Sequence, residues 1–343
     1  MSNTPLISVC VPTYNYARFL PDCLESVIAQ TVDNWELIVC DDCSTDNTAE
    51  IVQEYAKHDS RIKYFRNEQR LGMNGNIKRA AELGQGEYLK MLCSDDWLAP
   101  DCLEMLSSLM NQHDGTALAT SAEVLSNEAG EPIRVQFLFG QSLLIIPGEK
   151  MLDRMAWGEG FGGHSSFFIR TSAYKAIGGY DDKLLYAADM DLGARLCRIG
   201  DYLHVDHPLF YGRVQSESSS TVNPGKLLDV VDAFEIPDKI FRPRRFPNRE
   251  WCRFQLLTGN LTARYLTNVV LQELRGQHEY ARNLRVLLRR YGSFIFGVPL
   301  ILPHVSTRVY RWVSGRREPV SVKPPTNAGT PSKSRRLRSQ AEG

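Results

Sequence analysis

The sequence predicts an α/β fold: a doubly wound, mostly parallel sheet followed by a C-terminal helical appendage. Three observations carry that expectation. Apolar runs of strand length alternate with helix-period segments, β-α-β-α-β-α-β, within roughly the first 95 residues, the pattern of parallel crossovers. The run Tyr88 to Leu92 is almost continuously apolar, as suits a strand buried on both faces. The chain of 343 residues is 43% hydrophobic and 23% charged, enough for one α/β domain and an addition to it.

Taken in order, Leu6 to Val11 is a β-branched run ended by Pro12, and Phe19 to Ala29 places Leu20, Leu24, Val27 and Ile28 at helical spacing. Trp35 to Cys40 is the second strand, and Ser44 to Thr48 supplies helix-start chemistry for Ala49 to Ala56. Ile62 to Phe65 is the third strand. Asn67 to Asn76 reads as a polar loop before a helix from Ile77 to Leu83, and the strand after Gly86 is the fourth. Pro100 opens another helix and Ala117 to Val124 is a strand. Residues 125–160 resist assignment apart from a Pro-Gly turn at 147–148 and a helix from Glu149 to Met155. Ser165 to Arg170 reads as a strand, Tyr174 to Ile177 as a helical turn and Asp189 to Ile199 as a helix. Tyr202 to Phe210 is a strand broken by His207-Pro208, with Tyr211 to Val214 extending it. Amphipathic helical patterns follow at 226–240 and 250–290. The stretch 315–343, rich in Pro, Ser, Lys and Arg, is expected to be disordered. The expected organisation is therefore 1–225 as the α/β domain, 226–314 as a basic helical region and 315–343 as a tail.

Net charge is zero, yet the acids crowd the first two thirds and the last hundred residues are strongly basic. Arg242, Arg244, Arg245, Arg249, Arg253, Arg264, Arg282, Arg285, Arg289 and Arg290 are interleaved with Leu, Tyr and Phe, followed by the apolar run Phe294 to Leu302. This reads equally as an amphipathic segment for an anionic membrane surface or as a helical appendage with solvated arginines. No nucleic-acid motif accompanies the charge, so no nucleic-acid partner is expected. Eight cysteines without a CxxC pair or zinc spacing fit reduced thiols. With no charged leader and no apolar run long enough to span a bilayer, the expected location is cytoplasmic, at the inner face of the cell membrane if the basic region binds there.

Chemistry gathers where strands end. Pro12, Thr13 and Tyr14 follow the first strand, Asp41 to Asp46 follow the second, and Ser94, Asp95 and Asp96 follow the fourth. Neighbouring parallel strands bring these tips to one edge of the sheet, where open α/β sheets bind ligands. Tyr14 beside Asp42 can stack on a base and accept its N–H. The competing reading is that Asp42 to Asp46 caps a helix. Adjacent Asp95 and Asp96 repel each other unless a cation joins them, and a hard divalent ion with phosphate oxygens would satisfy them. A solvated acidic turn capping the helix near Pro100 explains the pair equally well. Neither GxGxxG nor a Walker sequence is present, which argues against a Rossmann dinucleotide enzyme and a P-loop NTPase.

Ile7 to Asn15, Trp35 to Asp46 and Gly86 to Asp96 resemble the three successive signatures of family 2 glycosyltransferases, and Gly178 to Asp181 and Ala187 to Leu192 resemble that family's acceptor-side segment. The resemblance covers roughly residues 5–220. It implies the GT-A fold, a nucleotide-diphosphate-sugar donor, a Mg or Mn ion and inversion at the anomeric carbon. By that resemblance Pro12, Thr13 and Tyr14 line the nucleotide, Asp42 holds the base, and Ser94 and Asp95 meet the donor. The family's D-x-D falls on Cys93-Ser94-Asp95, so its first aspartate is a cysteine here. Asp95 is then the metal ligand, with Asp96 as helper or replacement. Asp189 becomes the general base, though a carboxylate near a helix start also suits an N-cap. Asp191, on a different helical face, is the fallback base, and Arg213 and Arg79 are phosphate candidates; Arg79 reads first as a surface helix charge. His164, after two glycines, faces the acceptor or is structural. Gln215 stands where relatives often carry histidine. The expected function is transfer of a sugar from a UDP- or dTDP-linked donor to a hydroxyl of a glycan or lipid-linked acceptor, in bacterial surface polysaccharide or O-antigen assembly. The rivals are a degenerate module that binds donor or glycan without turnover, and a nucleotidyltransferase, whose basic glycine-rich loop is missing after the first strand.

Overall fold

A computed structural model describes residues 5–184, 186–215, 228–241, 249–274 and 278–291. The first half alternates as the sequence predicts: β1 (Ile7–Thr13), α1 (Leu20–Ile28), β2 (Trp35–Asp41), α2 (Thr48–His58), β3 (Ile62–Arg66), α3 (Gly72–Leu83) and β4 (Tyr88–Met91). There follow β5 (Trp97–Leu98), α4 (Cys102–Gln112), β6 (Thr116–Ser126), β7 (Pro132–Gln136), β8 (Leu143–Ile146), α5 (Gly148–Ala156), a 3-10 turn (His164–Ser166) and β9 (Phe168–Arg170). Then come α6 (Thr171–Ala176), α7 (Ala188–Leu196), β10 (Asp201–Arg213), α8 (Leu228–Phe241), α9 (Arg249–Leu274) and α10 (His278–Tyr291).

The sheet runs β3-β2-β1-β4-β9-β6-β10-β5, with β7 paired to β6 and β8 to β10. Strands β1 to β4 are parallel, as is the long β6–β10 pair, and β9 lies antiparallel between β4 and β6. The chain moves outward from β1 through β2 to β3, then returns to place β4 on the other side of β1. That reversal is the switch point where a crevice opens beyond the strand ends. Register sets the tips side by side, with Thr13 opposite Asp41 and Cys10 opposite Met91.

Both faces are covered. Leu20, Leu24, Val52, Leu103 and Leu106 of α1, α2 and α4 close one face, and Ile77, Tyr174, Leu192 and Met155 of α3, α6, α7 and α5 close the other. Phe234, Leu257, Leu261 and Leu284 of the C-terminal helices join this second core. Arg253, 2% exposed in its side chain, ties α9 to α5 through Asp153 at 2.9 Å and Glu149 at 2.8 Å. Arg249 adds a 2.7 Å pair to Asp153, and Lys239 bonds Asp181 at 2.6 Å. Part of the basic region is thus turned inward onto acids of the α/β domain. Arg264 and Arg282 remain exposed. The run Phe294 to Leu302, the tail 315–343, and Arg242, Arg244 and Arg245 lie outside the described residues.

Several expectations are corrected. Helix α3 starts at Gly72, not Ile77, because the Asp42 carboxylate accepts the N–H groups of Leu71 at 2.7 Å and Gly72 at 2.9 Å and so caps it from another strand. Residues 125–160 contain β7 and β8. Ser165 to Arg170 divides into the 3-10 turn and β9. His207-Pro208 bends β10 without ending it: the register shifts at Val205/Pro208, where proline cannot donate to the ladder. The pattern at 250–290 is two helices. The Pro-Gly turn is demanded by packing, since a Cβ on Gly148 would lie 2.1 Å from the Cys197 carbonyl oxygen.

Candidate active site

The turn after β4 is held on every side. Asp96 N–H donates to the Cys93 carbonyl at 3.0 Å, closing the turn. Asp96 is buried; its Oδ2 accepts Ser165 Oγ at 2.5 Å and its Oδ1 accepts the Arg213 N–H at 2.9 Å. Half-buried Asp95 accepts Gln215 Nε2 at 2.5 Å. Burial pushes the Asp96 carboxyl well above its usual range, and the adjacent Asp95 charge adds to this. Burial also raises Asp95, while the Gln215 hydrogen bond and Arg213 pull the other way. Ser94 is buried within the same turn.

Arg213 is not an outward phosphate ligand. Its guanidinium donates to the Asp95 carbonyl at 3.0 Å, the Glu128 carbonyl at 2.6 Å and Asp22 at 2.7 Å, and is stacked against Phe19 and Trp97. It fixes the acid turn from behind.

At the other tips, Thr13 is buried and its Oγ1 has no hydrogen-bond partner, an orphan at the mouth of the crevice. Pro12 is half-buried beside it. Asn15 and Cys43, at φ +54° and +64°, take the left-handed conformation at successive tips, a strain characteristic of functional turns. Asp46, rather than Asp42, supports the start of α2, accepting Thr48 N–H at 3.2 Å and Oγ1 at 2.6 Å. Asp42 is buried and, besides the start of α3, accepts Asn67 Nδ2 at 2.9 Å. Arg70 lies 3.6 Å over the Tyr14 ring with its Nε 3.8 Å from Asp42 Oδ2. The aromatic face and the carboxylate expected for a base are therefore spanned by a guanidinium. Arg79 is exposed on α3, its charge acting on the Cys40 thiol, which burial pushes up to about 11.

Asp189 stands in the first turn of α7, half-buried, with Met190 N–H donating to its Oδ1 at 2.7 Å. It makes no N-cap bond, the N-cap position being Ala187. Its charge acts on His164 and Tyr180, which bond each other at 3.0 Å through Nδ1 and the phenol oxygen. Burial pushes His164 down, and Asp189 partly offsets this. Asp191 does not join them. It is fully buried and paired with Arg195 at 2.5 Å and Lys239 at 2.8 Å, so it anchors α7 and is excluded as an acceptor-side group.

Two contributors escaped the sequence reading. Ser165 Oγ bonds both Asp96 and the Cys93 N–H, the latter at 2.9 Å, and Lys90 Nζ donates to the Ser165 carbonyl at 2.5 Å. Lys90 is fully buried, and burial lowers its pKa. Its signal was visible: a lysine inside an apolar central strand needs an internal partner. Ser165 carried no comparable signal.

The donor set suits a divalent cation. One ligand atom each from Cys93, Asp95 and Asp96 lies within 4.8 Å of the others, and two carboxyls that resist ionising together would be relieved by a positive ion.

The strand tips and the acid turn gather at the sheet's switch point, where open α/β sheets bind their ligands. Residues 8–178 match the family described as glycosyl transferase family 2, and the chain belongs to that family of sugar-transferring enzymes. It is 26% identical over 230 residues to a chondroitin synthase of Escherichia coli, covering 67% of this chain and 31% of that protein. Over 125 residues it is 38% identical to an E. coli UDP-Glc:alpha-D-GlcNAc-diphosphoundecaprenol beta-1,3-glucosyltransferase, WfgD, covering 36% of this chain and 48% of the other. The chain thus spans less than half the length of these two relatives. The fold is also that of the Pyrobaculum calidifontis mannosyltransferase PcManGT in complex with GDP-Man and Mn2+, with TM-score 0.58 and 16% identity over 91% of this chain and 82% of the other. The GT-A expectation is borne out. Among the described residues no helix is long and apolar enough to cross a membrane.

Proposed function

We propose that the protein is an inverting glycosyltransferase that moves a sugar from a UDP- or dTDP-linked donor to a hydroxyl of a glycan or lipid-linked acceptor. The observation that supports the reading is that one short turn touches both groups: Ser165 bonds Asp96 of the acid turn, and the neighbouring His164 feels the charge of Asp189. Asp189 takes the proton from the acceptor hydroxyl as that oxygen attacks C1 of the sugar. The C1–oxygen bond to the diphosphate breaks as the new bond forms on the opposite face, and the nucleoside diphosphate leaves.

Asp95 is the first ligand for a Mg or Mn ion; Asp96, whose oxygens already accept Ser165 and Arg213, supports it. When bound, the ion stabilises the leaving diphosphate. Thr13, Pro12, Tyr14 and Asp42 receive the nucleoside, Ser94 and Arg79 flank the donor, and His164 faces the acceptor. WfgD, named for a UDP-linked donor and a diphosphoundecaprenol acceptor, supports surface-polysaccharide assembly as the setting. A cytoplasmic enzyme held peripherally at the membrane by its basic C-terminal region would meet such an acceptor. The boundaries near 225 and 314 are part of this proposal.

The test is calorimetric binding of UDP, dTDP, GDP and CMP, each with and without Mn ion. Binding of one uridine or thymidine diphosphate that collapses with EDTA and in Asp95→Ala supports the reading. Binding indifferent to metal returns Asp95 and Asp96 to a structural role, and no binding at all refutes the donor assignment.

A further inference from the structure

We propose that Cys93 is itself a metal ligand, and that the centre it makes with Asp95 and Asp96 takes a thiophilic divalent ion, cobalt or zinc, in preference to magnesium. The inference rests on the donor reading above, because it concerns the same acid turn.

The geometry is within reach of a common ion. Ligand atoms about 2.0 to 2.3 Å from one tetrahedral ion lie about 3.3 to 3.8 Å apart. The three donors of Cys93, Asp95 and Asp96 fall within 4.8 Å of one another, so side-chain shifts of about an ångström or less would close the set. Cys93 is the member that the turn holds most firmly through its backbone: its carbonyl accepts Asp96 N–H at 3.0 Å and its N–H donates to Ser165 Oγ at 2.9 Å.

Outer partners complete the arrangement. Ser165 bonds Asp96, Gln215 bonds Asp95, and buried Lys90 fixes the Ser165 carbonyl. Outer hydrogen bonds of this kind orient ligands and are a mark of built centres. Among the described residues no other cysteine belongs to such a group of ligands. Cys10, Cys23, Cys40, Cys102 and Cys197 are buried free thiols, Cys23 donating to the Cys93 carbonyl at 3.9 Å, and exposed Cys252 lies on α9.

Ligand softness then sets the preference. Two carboxylates and water or phosphate oxygens suit magnesium, whereas a thiolate among them shifts selection toward cobalt and zinc. The cysteine in place of the first acid of the motif is thus a change of ion, not a loss of the site.

The full chain, stripped of metal, is titrated with cobalt chloride with and without UDP, and the near-ultraviolet thiolate-to-cobalt charge-transfer band is read. The wild type is expected to show the band, saturating at one equivalent. Cys93→Ser should lose it together with at least about tenfold in cobalt affinity. Cys93→Asp should lose the band and gain affinity for magnesium relative to cobalt by about tenfold or more. Cys252→Ser should keep the band, and circular dichroism checks that each variant folds. Cobalt binding without a band, or a band that survives Cys93→Ser, overturns the role of Cys93 while leaving a metal-dependent transferase intact. Failure of every divalent ion to bind, with UDP or without, overturns the metal reading and this proposal with it.

Discussion

At the acid turn, burial pushes Asp95 and Asp96 above the ordinary carboxylate range, and the Asp95 charge adds to the rise of Asp96. On α5 the opposite holds. Asp153 is held below its usual value by Arg249 and Arg253, and Glu149 is lowered by Arg253 and Arg198 despite the burial that opposes them. Both regions collect acids, but only one supplies enough cations of its own. Satisfied acids on α5 join the C-terminal helices to the sheet domain, and the raised pair at the acid turn is what a positive ion would relieve.

The comparison can be broken by single changes. Asp95→Asn should lower the rate of sugar transfer by about a thousandfold in a radiolabelled-donor assay. The same variant should melt higher than wild type at pH 7.5 without metal. The sign follows from the raised pKa: the folded state holds protons more tightly, so stability falls as pH rises from the unfolded value through the folded one, and asparagine removes that cost. A lower melting temperature would mean that the pair is not strained. Asp189→Asn should cost about a hundredfold in kcat with little change in donor KM, whereas a change confined to KM would remove Asp189 from proton transfer.

On the other side of the comparison, Arg253→Met should destabilise by about 2 kcal/mol in urea unfolding, since it removes the buried guanidinium that joins Asp153 and Glu149 and leaves them only the more exposed Arg249 and Arg198. The acids of α5, having depressed values, contribute stability above their unfolded values of about 4, and it is lost as pH falls through the folded ones. Melting temperature should therefore drop from pH 5 toward pH 3, and more gently in Asp153→Asn. The smallest effect is expected at Tyr14: Arg70→Ala frees the ring and should tighten UDP binding by less than tenfold, read by calorimetry. Weaker binding would make Arg70 a ligand to the nucleotide and not a competitor for its place.

Much of this was legible in the chain. The apolar runs gave β1, β2, β3 and β4 within a residue or two, and the polar strand ends identified the crevice. What escaped depended on partners far away in sequence. The start of α3 was hidden because its cap, Asp42, lies 29 residues from Leu71. Gln215 reaches Asp95 across 120 residues and Arg213 reaches it across 118, so their service to the acid turn had no local trace. Strands β7 and β8 were missed because they are short and expose Ile133, Leu143 and Ile145, which masks the in-out alternation of a half-buried strand. Asp191 was legible in part. Two residues from Asp189 on a helix it lies on a different face, as the spacing says; what the sequence did not show is that Lys239 and Arg195 claim it there.

The 3-10 turn at His164–Ser166 has a thermodynamic consequence. Ser165 grips the acid turn, and its immediate neighbour His164 stands with Tyr180 beside Asp189. A cation that drew on Asp96 would act on Ser165 through their hydrogen bond, and Ser165 and His164 are neighbours in one short turn. Any resulting coupling free energy is reciprocal: if the cation tightens the acceptor by some factor, the acceptor tightens the cation by the same factor. Donor loading and acceptor capture would then be two readings of one equilibrium, joined by a single peptide bond.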